Sequence, residues 1–473
     1  MTDLGRLERG ARAWAKRALR GAVRSYPRGE EWDLETWDLE RDASGALVRG
    51  GVVLDELLAR HGSPLYVVDA ARLADNAAAF RAPAPGAKRA CEPYYSYKTN
   101  PVPGVLKMLH ALGVGAEVAS PWELWLALEL GVAPERIVFN GPGKTAESLE
   151  VAAARGVGLV NLNGREEVEP AAAAARARGK RLRVGVRVVP PGTLGGQFGE
   201  RLDNGDALSA FRAARARPEL DVVAIHAHAN GEIAERARLD AFVAPLLAFS
   251  DVLSAELGLA VEVIDVGGNL ACRTTSRLSS RDRRLAVTFG RAPSARPLAS
   301  VLGIDAYVAR VTELVEGHFA ARGRPCPRVF LEPGRAMTGD AQMLLCRVAS
   351  VRGRDEAGLV WAVLDAGINV AEPVPNEHHL LFALRPRGPG EALYRLTGPS
   401  CTLADQLYPA ARLPELRPGD GLAIMDAGAY FVPFSTCFSR PRPGVVAVDA
   451  GRVSVLRRAE TYEDLIARDE VRS

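Results

Sequence analysis

The sequence predicts an α/β protein, a closed (β/α)8 barrel followed by a mostly β C-terminal domain, and three observations lead there. From residue 64 onward, short apolar runs alternate with helical stretches at intervals of about 20 to 35 residues. The runs are continuously apolar, which marks strands buried on both faces of a parallel sheet. After Arg335 the pattern changes to strand-like segments broken by Gly and Pro, with almost no helical periodicity; that is the signature of a separate β layer.

Taken in order, the first thirty residues carry Arg6, Arg9, Arg12, Lys16, Arg17, Arg20 and Arg24 among Leu and Ala at helical spacing. They predict a basic amphipathic helix packed on its own domain, with docking on an anionic surface or a partner as the alternative. The strand-like runs follow: Leu65–Val68, Tyr94–Tyr97, Gly115–Val118, Ile137–Phe139, Gly158–Leu162, Leu182–Val189, Val222–His228, Val261–Val266 and Val329–Leu331. About nine repeats, one of them peripheral, suit an eight-stranded barrel better than an open sheet. Lys98, Glu117, Arg187, His228, Gly267 and Glu332 all end or follow such a run, so a barrel gathers them at one mouth. The arginine-rich stretch from Arg273 to Arg296 has no clear period and reads as a mobile loop beside the site.

The formal charge of +3 on 473 residues gives no global argument for nucleic acid. Six cysteines without a Cys-x-x-Cys pair read as reduced thiols of a cytoplasmic protein, with no disulfide framework and no metal site. No run of eighteen apolar residues occurs, so no membrane span is expected.

Lys98 carries the chemistry. It closes the aromatic run Tyr94-Tyr95-Ser96-Tyr97, and a site walled by aromatics can lower an amine's pKa so that some of it is free to attack an aldehyde. Tyr95, Lys98 and Asn100 match a Tyr-x-x-Lys-x-Asn pattern. Farther on stand His228-Ala229-Asn230-Gly231, Asp265-Val266-Gly267-Gly268-Asn269, Glu332-Pro333-Gly334-Arg335, a Gly-Pro-x-Cys-x-x-x-Asp motif from Gly398 to Asp405, and Gly428-Ala429-Tyr430. In this order, over residues 60 to 445, the set resembles the fold-type III pyridoxal-phosphate (PLP) decarboxylases, the ornithine, arginine and diaminopimelate decarboxylase family with the alanine racemase-like barrel.

The resemblance implies a cofactor, PLP, held by Lys98 as a Schiff base. Gly267, Gly268, Arg335 and Tyr430 would take its phosphate. Glu332 would keep the ring nitrogen protonated, which favours decarboxylation over racemisation. His228 would stack on the ring, with Glu117 and Arg187 behind it, while His226, one strand position off by alternation, would point elsewhere. Cys401 would return a proton to Cα from the neighbouring subunit, implying a homodimer with shared sites. Residues 31–61 would join the β domain, giving boundaries of 1–30, 31–61, 62–335 for the barrel and 336–473 for the C-terminal β domain.

Departures from the family pattern concern the substrate. Thr402 stands where an acid for a distal amine is expected, and Glu372-Pro373 stands where an Arg-Pro pair would hold a distal carboxylate. Asp405 and Asp365 are the remaining candidate substrate contacts. A small-molecule amino acid whose far end is acylated or carrier-bound fits this pocket. The alternatives are diaminopimelate decarboxylation proper, a PLP-dependent racemase or lyase, and a catalytically silent regulatory homologue. Asn230-Gly231 replaces the family's Gly-Ser, which removes a hydroxyl from the phosphate site, and Asn269 replaces a third glycine.

Overall fold

The computed structural model describes residues 18–24, 32–192, 197–388 and 390–470, and the chain falls into two compact units. One comprises Ala70–Arg273 and Ala299–Gly339; the other comprises Met1–Asp69, Thr274–Leu298 and Asp340–Ser473.

The first unit is an eight-stranded parallel barrel. Its strands are β1 (Glu92–Ser96), β2 (Gly115–Val118), β3 (Ile137–Phe139), β4 (Leu159–Leu162), β5 (Leu182–Val189), β6 (Leu220–His226), β7 (Val263–Asp265) and β8 (Arg328–Leu331). Each pairs in parallel with its neighbour, and β8 returns to β1. The helices are α1 (Ala70–Arg81), α2 (Pro103–Ala111), α3 (Pro121–Glu129), α4 (Ala146–Arg155), α5 (Val168–Ala177), α6 (Asp206–Arg215), α7 (Arg236–Leu257) and α8 (Ile304–Ala320). Local sequence sets their ends. Ser120 caps α3 through the Glu123 N–H with Pro121 at its first turn, and Thr145 with Ser148 forms a capping box on α4. Tyr94, Val138, Leu159, Val223, Val263 and Phe330 form one apolar cluster from strands all round the ring.

The expected barrel start at residue 62 is corrected to Ala70. Leu65–Asp69 is fully buried, but it lies in the other unit's sheet, antiparallel to Gln342–Arg354 and parallel to Gly444–Asp449. A continuous apolar run reports burial on both faces, not which sheet supplies it. Eight of the nine runs therefore close the barrel and this one does not.

The second unit is built on a nine-stranded sheet that also contains Val360–Leu364, Leu381–Ala383, Glu391–Thr397, Gln406–Pro414, Gly421–Ile424 and Arg452–Arg457. A small antiparallel sheet of Leu39–Arg41, Leu47–Arg49 and Val52–Val53 belongs to the same unit. Trp37, Leu54, Leu65, Leu345, Met425 and Val446 share its core. The stretch expected to be a mobile loop is ordered. Ser276–Arg277 pairs with Glu377–His378, and Ser280–Phe289 is a helix capped by Ser279 and closed by left-handed Gly290. The Ser279-x-x-Asp282 cap was legible in the sequence. Residues 18–24 are helical; Arg20 donates to the Glu356 carbonyl and Arg24 to those of Phe289 and Ala357, within the same unit. The rest of the expected N-terminal helix lies outside the described residues. Among the described residues no helix is long and apolar enough to cross a membrane, and all six cysteines are free.

Candidate active site

Seven successive barrel strands each present one polar side chain at the same end: Glu117 on β2, Asn140 just after β3, Asn161 on β4, Arg187 on β5, His226 on β6, Asp265 on β7 and Glu332 just after β8. Lys98 follows β1 in a short 3-10 turn. Lys98, Glu117, Asn140, Arg187, His226, His228, Asn269 and Glu332 line one cavity of about 560 Å³ in the barrel unit.

Lys98 is the exposed member, 45% open, with Nζ 3.8 Å from Glu117 Oε2. Behind it runs a buried hydrogen-bond chain. The Asn140 amide nitrogen donates to Glu117 Oε1 at 3.0 Å and to Glu332 Oε1 at 2.5 Å. Its oxygen accepts from Asn161 at 2.9 Å, and Asn161 donates onward to Asp265 at 3.2 Å. The Asp265 carboxyl also accepts from the Gly267 N–H at 3.0 Å, holding the glycine turn against β7.

Charge in this cluster is divided. Burial, and then the nearby Glu332 carboxylate, push the Asp265 carboxyl well above the usual range, so it keeps its proton. Burial also presses Glu332 upward, but the facing His226 and the Lys98 charge outweigh it and hold Glu332 below the usual range. Glu332 is therefore the ionised member of the pair, as two buried carboxyls in contact do not both ionise. Burial, assisted by the Lys98 charge, pushes His228 down to about 3, leaving a neutral ring. The Arg187 guanidinium lies 4.8 Å over the Phe198 ring.

His226 lines the cavity and its Nε2 lies 3.6 Å from Glu332, contrary to the expectation from strand alternation. Residues 226 and 228 are two positions apart, so a period of two puts both on one side, and both line the cavity. Asn140, Asn161 and Asp265 were not anticipated as site residues; a lone polar residue at the end of an apolar run was the available signal.

Gly267 and Gly268 form a tight turn beside His228. A Cβ on Gly267, whose φ is 64°, would lie 2.5 Å from the Ala227 carbonyl oxygen, and one on Gly268 2.4 Å from that of Glu332. Neither position admits a side chain, and the turn leaves backbone open to a close-lying anion. Arg335 opens the short helix Arg335–Thr338 after β8.

The other expected site residues lie in the second unit. Cys401, Thr402 and Leu403 form an exposed loop, with Leu403 fully open. Asp405 was expected near substrate; its carboxylate is buried and accepts from the Ile368 N–H at 2.8 Å and the Ser400 N–H at 2.7 Å. A Cβ on Gly398 would strike that carboxylate at 2.3 Å, so Asp405 fixes the cysteine loop instead. Asp365 likewise accepts from the Arg347 N–H at 2.8 Å. Tyr430 has a φ of 69° and stacks on Phe434 with ring centres 5.9 Å apart.

Residues 72–339 match the family model described as pyridoxal-dependent decarboxylase, pyridoxal binding domain. The chain belongs to this family. It is a PLP-dependent amino-acid decarboxylase. Over 448 residues it is 31% identical to the diaminopimelate decarboxylase of Methanothermobacter thermautotrophicus, covering 92% of this chain and 98% of that protein. It is also 31% identical to that of Actinosynnema pretiosum over 450 residues, 93% and 95% of the two chains. The crystal structure of diaminopimelate decarboxylase from M. jannaschii, 24% identical, superposes with a TM-score of 0.81 over 93% of this chain and 99% of that one, which is a likeness of fold. The decarboxylase's cavity suits its cofactor chemically. It offers one accessible amine, an ionised buried carboxylate, a neutral aromatic ring and a glycine turn that a Cβ would fill.

Proposed function

We propose that the protein removes an α-carboxylate from an amino acid of the diaminopimelate class. The observation that carries this reading is the full-length likeness, 92% of this chain against 98% of a diaminopimelate decarboxylase. Bound PLP supplies the electron sink for the pair left when CO2 departs. Lys98 offers the amine for covalent attachment, and Glu117, 3.8 Å away, keeps a counter-charge beside it. Glu332 holds a proton at the cofactor's ring nitrogen; its ionised state and the Asn140 hydrogen bond keep it an acceptor. Neutral His228 offers a flat face, and Gly267 and Gly268, with Arg335, bind the phosphate. Cys401, in an exposed loop clamped by Asp405, returns the proton to Cα of a partner subunit's substrate in a homodimer; the open Leu403 beside it suits burial against a second copy. The free cysteines support a cytoplasmic location.

A second reading is favoured by two residues. Thr402 and Glu372 replace an expected acid and arginine, and Asp405 ties their segments together by accepting from Ser400 and Ile368. A far end that is acylated or carrier-linked needs neither charge. The experiment is a steady-state comparison of meso-diaminopimelate, L-lysine, L-ornithine and their acylated analogues with the PLP-loaded enzyme, read by CO2 release. A top specificity constant for meso-diaminopimelate supports the first reading, and one for an acylated analogue the second. No CO2 from any of them rejects both.

A further inference from the structure

Lys98 is the exposed member of its 3-10 turn, while the residues on either side of it, Tyr97 and Thr99, are fully buried. The amine is therefore placed by the anchoring of its neighbours. Tyr97 fills an open position of the Tyr-x-x-Lys-x-Asn pattern, so the family resemblance gives it no role. Its hydroxyl lies 2.6 Å from His110 Nε2, with the ring centres 5.8 Å apart. His110 sits in the last turn of α2, and its Nδ1 lies 2.9 Å from the Val114 carbonyl oxygen.

The direction of each hydrogen bond follows from its partner. A backbone carbonyl only accepts, so Nδ1 carries a proton. Burial holds the His110 ring below its ordinary value of 6.5, so at pH 7 it is neutral and Nε2 is bare. Nε2 then accepts from the Tyr97 hydroxyl, whose own ionisation burial pushes upward. The other neutral tautomer would set a bare Nδ1 against the carbonyl oxygen, acceptor against acceptor.

This chain of bonds joins two segments that face each other in the site. Val114 leads into β2, which carries Glu117, and the Glu117 carboxylate lies 3.8 Å from Lys98 Nζ. On the opposite side the Ser96 N–H donates to the Pro333 carbonyl at 3.1 Å, and a Cβ on Gly334 would lie 2.3 Å from Thr99 Oγ1. The turn is thus fastened to the end of β8 by backbone and close packing, and to α2 and the start of β2 by Tyr97 and His110.

We propose that His110 is a positioning residue that acts through Tyr97 to fix the turn from which Lys98 projects, and so sets the spacing of the Lys98 amine from the strand carrying Glu117. The proposal rests on the reading of Lys98 as the attachment point of the cofactor. A turn held in this way keeps the amine aimed at the cofactor before the bond between them forms, which removes an orientational cost from that step.

The test is timed borohydride trapping: saturating PLP is added to cofactor-free protein, portions are reduced at intervals, and the pyridoxyl label on the Lys98 peptide is measured. Tyr97→Phe and His110→Leu should each slow labelling about ten-fold. The double variant should be no slower than either single one, because both remove the same bond. His110→Gln, whose amide N–H can serve Val114 while its oxygen serves Tyr97, should label faster than His110→Leu. A bond with a merely structural role would lower the thermal midpoint of the cofactor-free protein and leave the labelling rate unchanged, and that result overturns the proposal. Slowing that adds up in the double variant also overturns it. A wild-type protein without label on Lys98 overturns the reading of Lys98 and this proposal with it, whereas wild-type rates in Tyr97→Phe and His110→Leu overturn this proposal alone.

Discussion

Asn140 donates a 2.5 Å hydrogen bond to Glu332 from the same amide nitrogen that serves Glu117 at 3.0 Å. Two carboxylates from different strands, one beside the Lys98 amine and the other buried with His226, are therefore held by one neutral group. This geometry keeps both as acceptors.

Removing that group should be costly. Asn140→Ala leaves two buried carboxylate oxygens short of a donor, and kcat at saturating PLP should fall about ten- to a hundred-fold. Asn140→Asp should fall further, because it adds a third acid in contact with two others. Full kcat in the alanine variant would show that the bridge is incidental to catalysis.

Glu123, at the start of α3, gives a pH signature. Its carboxylate accepts from the Ala119 N–H at 2.6 Å, and burial pushes the group up to about 7. The unfolded chain gives up this proton near the ordinary value of 4.5, so between about 4.5 and 7 the folded state binds more protons and stability falls as pH rises. Glu123→Gln keeps an acceptor for Ala119 and removes the ionisation. Its urea midpoint should rise relative to wild type at pH 8 by an equivalent of about 1–3 kcal/mol, with little difference at pH 5. A gain of the same size at both pH values would contradict the assignment.

Subunit complementation tests the role of Cys401. Lys98→Ala and Cys401→Ala homodimers should each be inactive, and mixed dimers should regain partial activity because one of their two sites holds both residues. Verified mixed dimers without activity would rule out sharing of the site.

The far end of the substrate can be read by restoring the expected charges. Thr402→Glu combined with Glu372→Arg should raise kcat/KM for meso-diaminopimelate about ten- to a hundred-fold if those positions set specificity. No gain, together with a wild-type constant already highest for meso-diaminopimelate, would favour the diaminopimelate reading.

Much of this was legible before any fold was known, and the failures have physical reasons. The strand-end positions of Lys98, Glu117, Arg187, His228 and Glu332 gathered them correctly into one cavity, because barrel topology converts chain order into a ring. Asn140, Asn161 and Asp265 escaped notice because an interior amide or acid in an apolar run looks like an interruption until its partners appear across the barrel. Leu65–Asp69 was ambiguous for the opposite reason: burial on both faces carries no address. Asp405, expected near substrate, is occupied by two backbone N–H groups that only the folded loop brings to it.

The central claim is that PLP chemistry runs through Lys98. Borohydride reduction of the PLP-loaded protein, followed by proteolysis and mass spectrometry, tests it most directly. A pyridoxyl mass is expected on the peptide containing Lys98 and none in Lys98→Ala. A label on another lysine, or PLP-loaded protein that takes up no label, would contradict it.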